Sequence, residues 1–216
     1  TPMERVIAAN PDAWFQAYLP GEEDRIRALI SRVLAAGYKT LVLTADTAVL
    51  ANRENNLRAG FSTPLRITPG MVRDFGVRPR WLLGTFLRTL MERGMPRFEN
   101  SFAERGAPII SRQAARDFGR KDHLNWDHLA LIRDIWPHQL ILKGVLASED
   151  VAKAREVGCA GVILSNHGGR QLDYAISALR ALTAAKAAAG TMALMVDGGV
   201  RRGTDVIKAL ALGADF

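Results

Sequence analysis

Cysteine is almost absent from this sequence, since Cys159 is the only one among 216 residues. A single cysteine excludes disulfide bonds within the chain and is typical of a protein from a reducing compartment such as the cytoplasm. Cys159 lies in the apolar stretch EVGCAGVIL. We therefore expect it to be a small buried core residue rather than a reactive thiol.

Long apolar runs are also missing. No window reaches the roughly 18 apolar residues that a membrane-spanning helix needs, and TPMERVIAAN at the start has no signal-peptide layout. What is present, 48% hydrophobic and 24% charged residues, is the composition of a globular protein with a sizeable core.

The positive charge is concentrated in one segment. Positions 66–121 hold 12 basic and 5 acidic residues, which accounts for the whole net charge of +7, so the remaining residues sum to zero. Because the basic character is local, the sequence does not predict a nucleic-acid-binding protein.

Short apolar runs alternate with amphipathic helical stretches. Such continuous runs are typical of strands that are buried on both faces, and the alternation predicts a parallel sheet covered by helices. The runs are WFQAYL (14–19), TLVLTAD (40–46), LILKGV (core 141–145), GVILSNH (161–167) and ALMVDGG (193–199). Two helix ends are also predicted, with Gly37 after the first long helix and Ser148 as the N-cap of SEDVAKAREVG.

Polar residues stand at the carboxyl ends of these runs. They are Gln16, Tyr18, Thr44, Asp46, Lys143, Ser165, His167 and Asp197. Barrels of the (β/α)8 type gather their catalytic side chains at this position, so the predicted fold is a (β/α)8 TIM barrel of the α/β class. Only five full units are visible before a sixth strand begins at GADF, so we expect an incomplete barrel, cut at both ends.

Two motifs make a resemblance specific. SNHGGRQLD (165–173) and DGGVRRGTDVIKALALGA (197–214) resemble the FMN-dependent 2-hydroxy acid oxidase and dehydrogenase family, which includes glycolate oxidase, flavin lactate dehydrogenase and mandelate dehydrogenase. WFQAYL, LVLTAD and LILKGV match the family's strand ends in order and spacing. The resemblance implies that this sequence covers strands three to seven of the barrel and the start of strand eight. HLNWDHLALIRDIWPHQLILKG and RGMP (93–96) are most similar to the mandelate dehydrogenase branch.

The resemblance assigns five residues to the substrate. His167 is the base, which suits histidine because imidazole exchanges protons near neutral pH. Arg170 has the planar fork that grips a carboxylate through two bonds. Asp46 matches the carboxylate that pairs with the histidine, Tyr18 the tyrosine at the reacting oxygen, and Arg53 a second arginine near the substrate. The alternatives are a capping role for Asp46 and exposed surface cations for the two arginines.

Four residues match contacts to the flavin ring. Lys143 matches the lysine at the N1–C2 carbonyl edge, where reduced flavin carries negative charge. A lysine in an apolar strand without an anionic partner is costly, which argues against a purely structural role. Gln16, Thr44 and Ser165 match polar contacts on the flavin side.

The segment DGGVR matches the part of the family that holds the rest of FMN. Asp197 accepts from ribityl hydroxyls, Gly198 and Gly199 allow close backbone approach next to Val200, and Arg201 meets the phosphate. Barrels often bind phosphate in the loops after strands seven and eight. We expect FMN as the cofactor and no metal.

A long insertion follows strand four of the barrel. Within 66–121, PRWLLGTFLRTLMERG places apolar residues at positions 82, 83, 86, 87, 90 and 91, which is a helical period. A basic amphipathic helix favours contact with an anionic membrane surface, and the resemblance implies the same for the mandelate and bacterial lactate dehydrogenases. The alternative is a lid packed on the barrel. The expected location is the cytoplasm, with peripheral binding to the inner face of the cytoplasmic membrane.

The resemblance implies a complete functional hypothesis. The protein is expected to oxidise an L-2-hydroxy acid, mandelate first, to the 2-keto acid, and to pass electrons through FMN to a quinone-type acceptor. A homotetramer is implied for the full-length protein. Alternatives are an L-lactate dehydrogenase, an oxygen-using oxidase, a Schiff-base aldolase built on Lys143, and an inactive fragment.

Overall fold

The centre of the structure is a parallel sheet. The computed structural model describes residues 1–48, 51–60, 67–111 and 124–216, and its five strands lie in the order β1-β2-β3-β4-β5, each parallel to the next. This sequential order is the one found in (β/α)8 barrels, so the predicted parallel sheet is confirmed. The strands are β1 (Phe15–Ala17), β2 (Thr40–Thr44), β3 (Gln139–Val145), β4 (Gly161–Leu164) and β5 (Ala193–Val196).

Helices cover one face of the sheet. Asn125 is the N-cap of α7 (Trp126–Ile135) and forms a capping box, since its side chain accepts from the His128 amide and its own amide donates to His128 Nδ1. The helices are α1 (Met3–Ala9), α2 (Glu23–Ala35), α3 (Glu54–Arg58), α4 (Pro69–Gly76), α5 (Pro79–Trp81), α6 (Arg88–Arg93), α7 (Trp126–Ile135), α8 (Ser148–Val157), α9 (Ala178–Ala189) and α10 (Gly203–Ala211).

Both faces of the strands are apolar, which explains why their sequences read as continuous runs. The face beneath the helices joins the main hydrophobic core, in which Ile26 and Leu29 of α2 pack with Leu41, Leu43 and Leu140 of the strands. The opposite, inward face carries a second cluster made by Val42, Ile141, Met195 and Ile163. The polar residues at the strand ends extend this inward row.

One of the two predicted helix ends is confirmed and the other is wrong. Gly37 follows α2 with φ +99°, a left-handed conformation that favours glycine. Ser148 is the first residue of α8 rather than its N-cap, because the helix begins with the bond from the Val151 amide to the Ala147 carbonyl, 3.2 Å long. The Ser148 hydroxyl donates to Glu149 instead.

The last residues lie beside β5. The Asp215 amide donates to the Leu194 carbonyl at 2.8 Å, and the Val196 amide donates to the Phe216 carbonyl at 3.0 Å. These alternating bonds are those of a parallel neighbour. The segment GADF therefore runs along β5 as the predicted sixth strand requires, although its bonds do not yet form a full strand.

The inserted segment contains the predicted helix, but with altered geometry. A π-helical turn, Leu82–Leu87, joins α5 to α6, and such turns shift the side-chain register. The six apolar residues therefore do not share one face: Leu83, Leu87 and Met91 are exposed, whereas the other three are half-buried. Of the predicted segment 66–121, residues 66 and 112–121 lie outside the described residues.

Arg32 of α2 ties the base of this segment to the barrel. Its Nε and NH2 groups donate to the Glu4 carboxylate at 2.7 and 3.1 Å, and its NH1 group donates to the carbonyls of Glu99 and Phe102 at 3.0 and 2.9 Å. A guanidinium of α2 that bonds in this way to two other chain segments fixes the relative positions of all three. The insertion is thus anchored on the outside of the sheet, away from the polar strand ends.

The packing of α2 on the sheet predicts a large effect of one truncation. Ile26 is completely buried in the main core, so Ile26→Ala should lower the free energy of unfolding by about 2–5 kcal/mol. The matched control is Arg27→Ala, because Arg27 is exposed on the same turn. Denaturant unfolding followed by circular dichroism measures both, and similar unfolding midpoints for the two variants would contradict this account of the core.

Candidate active site

The predicted site residues converge at the carboxyl ends of the strands. Thr44 pairs in register with Lys143, and Gln16 on β1 donates through Nε2 to Thr44 Oγ1 at 2.8 Å. Ser165 and Asp197 directly follow β4 and β5. The inward row of the sheet therefore ends in an amide, two hydroxyls, an ammonium and a carboxylate at one rim.

Ser165 is the centre of a buried hydrogen-bond network. Its Oγ accepts from Lys143 Nζ at 3.2 Å and from the His167 amide at 3.0 Å, and it donates to Asp197 Oδ2 at 2.8 Å. One donor and two acceptor positions are all that a hydroxyl offers. Every hydrogen-bonding position of the Ser165 hydroxyl is therefore occupied, and the hydroxyl sets the positions of its three partners.

Lys143 and Asp197 form an ion pair beside this hydroxyl. Burial raises the pKa of the Asp197 carboxyl, but the hydrogen bonds from Lys143 and Ser165 outweigh burial and hold that pKa below its usual value. The sequence assigned these two residues to different parts of the cofactor. The structure shows that they also contact each other.

His167 pairs with Asp46 across the end of β3. His167 Nδ1 lies 3.0 Å from Asp46 Oδ1, and both side chains are largely buried. The predicted partnership of these residues is thus present in the geometry. Asp46 Oδ2 is buried and has no hydrogen-bond partner among the residues that the structure describes.

The loop that carries His167 has an unusual backbone. His167 has φ +58°, and Gly168 and Gly169 follow with φ +67° and +69°. A left-handed conformation is strained for a residue with a side chain and is often found at functional sites. Asn166, which the sequence reading missed, supports the turn, because its Oδ1 accepts from the Gly169 amide at 3.1 Å. The glycines continue a turn that begins on the histidine itself.

Gln171 connects the second arginine to this loop. Arg53 NH2 donates to Gln171 Oε1 at 2.9 Å, although the residues are 118 positions apart. Gln171 was missed because nothing in the spacing reveals such a pair, and its place beside Arg170 was the only signal. Arg170 is exposed, and its amide donates to the His167 carbonyl at 3.4 Å.

Tyr18 stands at the edge of the same group. Its hydroxyl accepts from Gln16 Nε2 at 3.4 Å. Burial and the nearby Asp46 carboxylate raise its pKa above the ordinary tyrosine value. The phenol therefore stays protonated and can donate a hydrogen bond at neutral pH.

The two glycines after β5 differ in their surroundings. Gly198 and Gly199 have φ +95° and +77°, and an added Cβ on Gly199 would meet no atom within 4 Å. Gly198 lies against Gly168, with the Gly168 amide nitrogen 3.4 Å from its would-be Cβ. The loops after β4 and β5 thus touch through glycines, and the backbone at Gly199 is accessible to a ligand.

The remaining residues of this loop lead into α10. Val200 and Arg201 are both exposed. The amides of Arg201 and Arg202 donate to Asp205 Oδ2, each at 3.0 Å, and these bonds lower the pKa of the Asp205 carboxyl. The backbone is therefore fixed at Arg201 while its guanidinium stays at the surface.

The two other histidines in the described ranges do not join the site. His128 belongs to the capping box of α7, and His138 Nε2 lies 3.3 Å from Lys39 Nζ at the amino end of the strands. His128 thus has a capping role, and His123 lies outside the described residues.

Comparison with known proteins identifies the family of this chain. The sequence model of the family described as FMN-dependent dehydrogenase matches residues 1–216. The chain is 42% identical over 210 residues to (S)-mandelate dehydrogenase of Pseudomonas putida, covering 94% of this chain and 50% of that protein. It is 40% identical over 202 residues to L-lactate oxidase of Nostoc sp., covering 93% and 49%.

Solved structures give the same result. A crystal structure of the monotopic membrane protein (S)-mandelate dehydrogenase superimposes with a TM-score of 0.81 at 38% identity, covering 99% of this chain and 56% of that one. Mandelate oxidase follows with a TM-score of 0.71 at 30% identity, covering 99% and 52%. The chain spans about half the length of these relatives, as an incomplete barrel requires, and it belongs to the FMN-dependent dehydrogenase family.

Proposed function

We propose that the protein oxidises a 2-hydroxy acid to the corresponding 2-keto acid with FMN, and that mandelate is the first substrate to test. The observation that carries this proposal is the contact between His167 Nδ1 and Asp46 Oδ1, 3.0 Å long. His167 lies on the same short loop as Arg170. A base with a carboxylate partner next to a guanidinium suits an anionic substrate that must lose a proton.

The residues at the strand ends fit FMN by their chemistry. Gln16, Thr44 and Lys143 form a row of hydrogen-bonding groups at the inward rim, which suits the polar edge of a flavin ring. Lys143 also supplies the positive charge that favours electron uptake. FMN bound there would supply the acceptor for the C2 hydrogen together with the two electrons of the C2–H bond, while the hydroxyl proton goes to the protein.

The loop after β5 suits the rest of the cofactor. Oδ2 of Asp197 accepts hydrogen bonds from Lys143 and Ser165. Its other oxygen, Oδ1, is therefore the one proposed to accept from the ribityl hydroxyls. Gly199 offers an accessible backbone, and the exposed Arg201 offers a cation for the phosphate. Val200 lies between them in the same loop.

We propose the substrate roles for the residues around His167. Arg170 and Arg53 hold the carboxylate, and the protonated phenol of Tyr18 donates to the oxygen on C2. His167 takes the hydroxyl proton on Nε2, because Nδ1 already faces Asp46. The Asp46 carboxylate then stabilises the positive charge that the imidazole gains.

Mandelate is favoured over lactate because the chain has 42% identity to (S)-mandelate dehydrogenase and superimposes on a structure of (S)-mandelate dehydrogenase with a TM-score of 0.81. The proposed electron acceptor is a quinone, which a membrane-bound enzyme can reach directly. A lactate dehydrogenase and an oxygen-using oxidase remain the alternatives, and measuring mandelate and lactate oxidation with a soluble quinone and with oxygen distinguishes them.

Removing the imidazole should abolish most of the activity. His167→Ala in the complete FMN-loaded protein should lower kcat for mandelate oxidation by about 10²–10⁴-fold, the usual contribution of a general base. Flavin absorbance should persist, because His167 is not proposed to hold FMN. The matched control is His138→Ala at the opposite end of the strands. If His167→Ala keeps wild-type kcat, His167 is not the base.

Removing the central hydroxyl should affect stability and cofactor binding together. Ser165→Ala leaves two donors and an acceptor without their buried partner, at a cost of about 1–3 kcal/mol for each group that water cannot reach. We expect a lower free energy of unfolding and weaker FMN binding by fluorescence titration. Ser31→Ala is the control, since Ser31 is exposed on α2. Equal FMN affinity in both variants would contradict a role of this network in the cofactor site.

We also propose that the inserted segment contacts an anionic membrane surface on the cytoplasmic side. Leu83 and Met91 are largely exposed beside basic residues such as Arg80 and Arg88, which suits interfacial binding. No helix in the described part of the chain is long and apolar enough to cross a bilayer. The structural relative described as a monotopic membrane protein supports this proposal.

Vesicle flotation tests this proposal. The triple variant Leu83→Ser, Leu87→Ser and Met91→Ser should float less than the wild type with vesicles of anionic phospholipid, and a variant without residues 66–121 should float least. Leu172→Ser, which removes an exposed leucine outside the segment, should float normally. Equal flotation of all variants would contradict the membrane proposal and favour the alternative, in which the segment is a lid packed on the barrel.

A further inference from the structure

Gly144 interrupts β3 at the level of the candidate base. Lys143 pairs with Ile163 and Val145 pairs with Leu164, so Gly144 is an extra residue without a partner in β4, a β-bulge. Val145 consequently returns to the main core with Leu142 instead of facing inward. The bulge lies between Lys143, which faces inward, and Val145 at the end of β3.

The backbone at Gly144 leaves no room for a side chain. A Cβ at this position would lie 2.6 Å from Asp46 Cβ, 2.6 Å from Asp46 Cγ and 2.8 Å from the Asp46 nitrogen. All three distances are shorter than any normal contact, and two involve the body of the Asp46 residue rather than a flexible tip. The φ of +96° also favours glycine.

This close approach explains how Asp46 reaches His167. Asp46 follows β2 and His167 follows β4, so the strand β3 separates them by two strand spacings, roughly 10 Å. The bond from the Ala45 amide to the Lys143 carbonyl, 2.8 Å long, holds the end of β2 directly against β3. Asp46 can therefore lean over the end of β3, provided that the residue below it has no side chain.

We propose that Gly144 is a positioning residue, whose missing side chain lets Asp46 lie across β3 and orient the imidazole of His167. The proposal rests on the function proposed above for this pair. Its effect on catalysis runs entirely through the Asp46 carboxylate.

The variant Gly144→Ala in the complete FMN-loaded protein tests it. Displacing the carboxylate from His167 should lower kcat for mandelate by about 100-fold, as expected for a shift of about 1 Å in a catalytic group. KM should change little, because Arg170 and Arg53 still hold the substrate. FMN absorbance should be retained.

Gly37→Ala is the matched control. Gly37 has φ +99°, close to that of Gly144, but an added Cβ meets no atom within 4 Å. Gly37→Ala thus introduces the same backbone strain without the clash, and its kcat should stay at the wild-type value. If both alanine variants have the same kcat, the close contact with Asp46 has no role in catalysis.

A double-mutant cycle separates positioning from general damage. In an Asp46→Asn background, Gly144→Ala should lower kcat much less than in the wild type, because the carboxylate is already gone. An equal loss in both backgrounds would overturn the proposal. If Gly144→Ala yields no soluble protein, Gly144→Ala with Asp46→Gly removes two of the three close contacts and should recover soluble protein. Failure to recover would also overturn it.

A crystal structure of Gly144→Ala gives an outcome independent of the substrate. The distance between Asp46 Oδ1 and His167 Nδ1 should exceed the present 3.0 Å, and an unchanged distance would contradict the proposal. If the wild-type protein oxidises no 2-hydroxy acid, the proposed function fails, while this distance still reports on Gly144.

Discussion

The contact between His167 and Asp46 is the interaction on which the rest of the site depends. The two residues are 121 positions apart and belong to strands that are not neighbours, so their contact exists only when the sheet has its correct order and curvature. The left-handed backbone of His167 is maintained because both its amide and its ring are bonded. The strain is local, and the surrounding network keeps it in place.

Most of the fold and many of the site residues could be predicted from the sequence. The strands were recognisable because both of their faces are buried, which makes runs such as TLVLT uninterrupted. The polar residues that follow them had to meet at one rim, because parallel strands end on the same side of a sheet. This argument placed Lys143, Ser165 and Asp197 together before any contact was known, and the family motifs then distinguished their roles.

What the sequence did not reveal depends on distances between separate segments. The bond between Arg53 and Gln171 joins loops with no shared motif, and the need for glycine at 144 arises from the backbone of Asp46, nearly a hundred residues earlier. The start of α8 at Ser148 depended on a choice between two adjacent residues, which composition does not decide. The π-helical turn after Trp81 was hidden because its apolar residues also fit an ordinary helix.

Charged and titratable groups are paired in two different ways at this rim. Lys143 and Asp197 form an ion pair. One oxygen of Asp46 contacts His167, and the other is buried without a hydrogen bond among the described residues. Such an oxygen is costly in the resting protein. The cost falls when the neighbouring imidazole becomes positive, because the carboxylate then faces a full charge in surroundings that screen it weakly. The rigid bulge beneath Asp46 keeps this carboxylate beside the imidazole of His167.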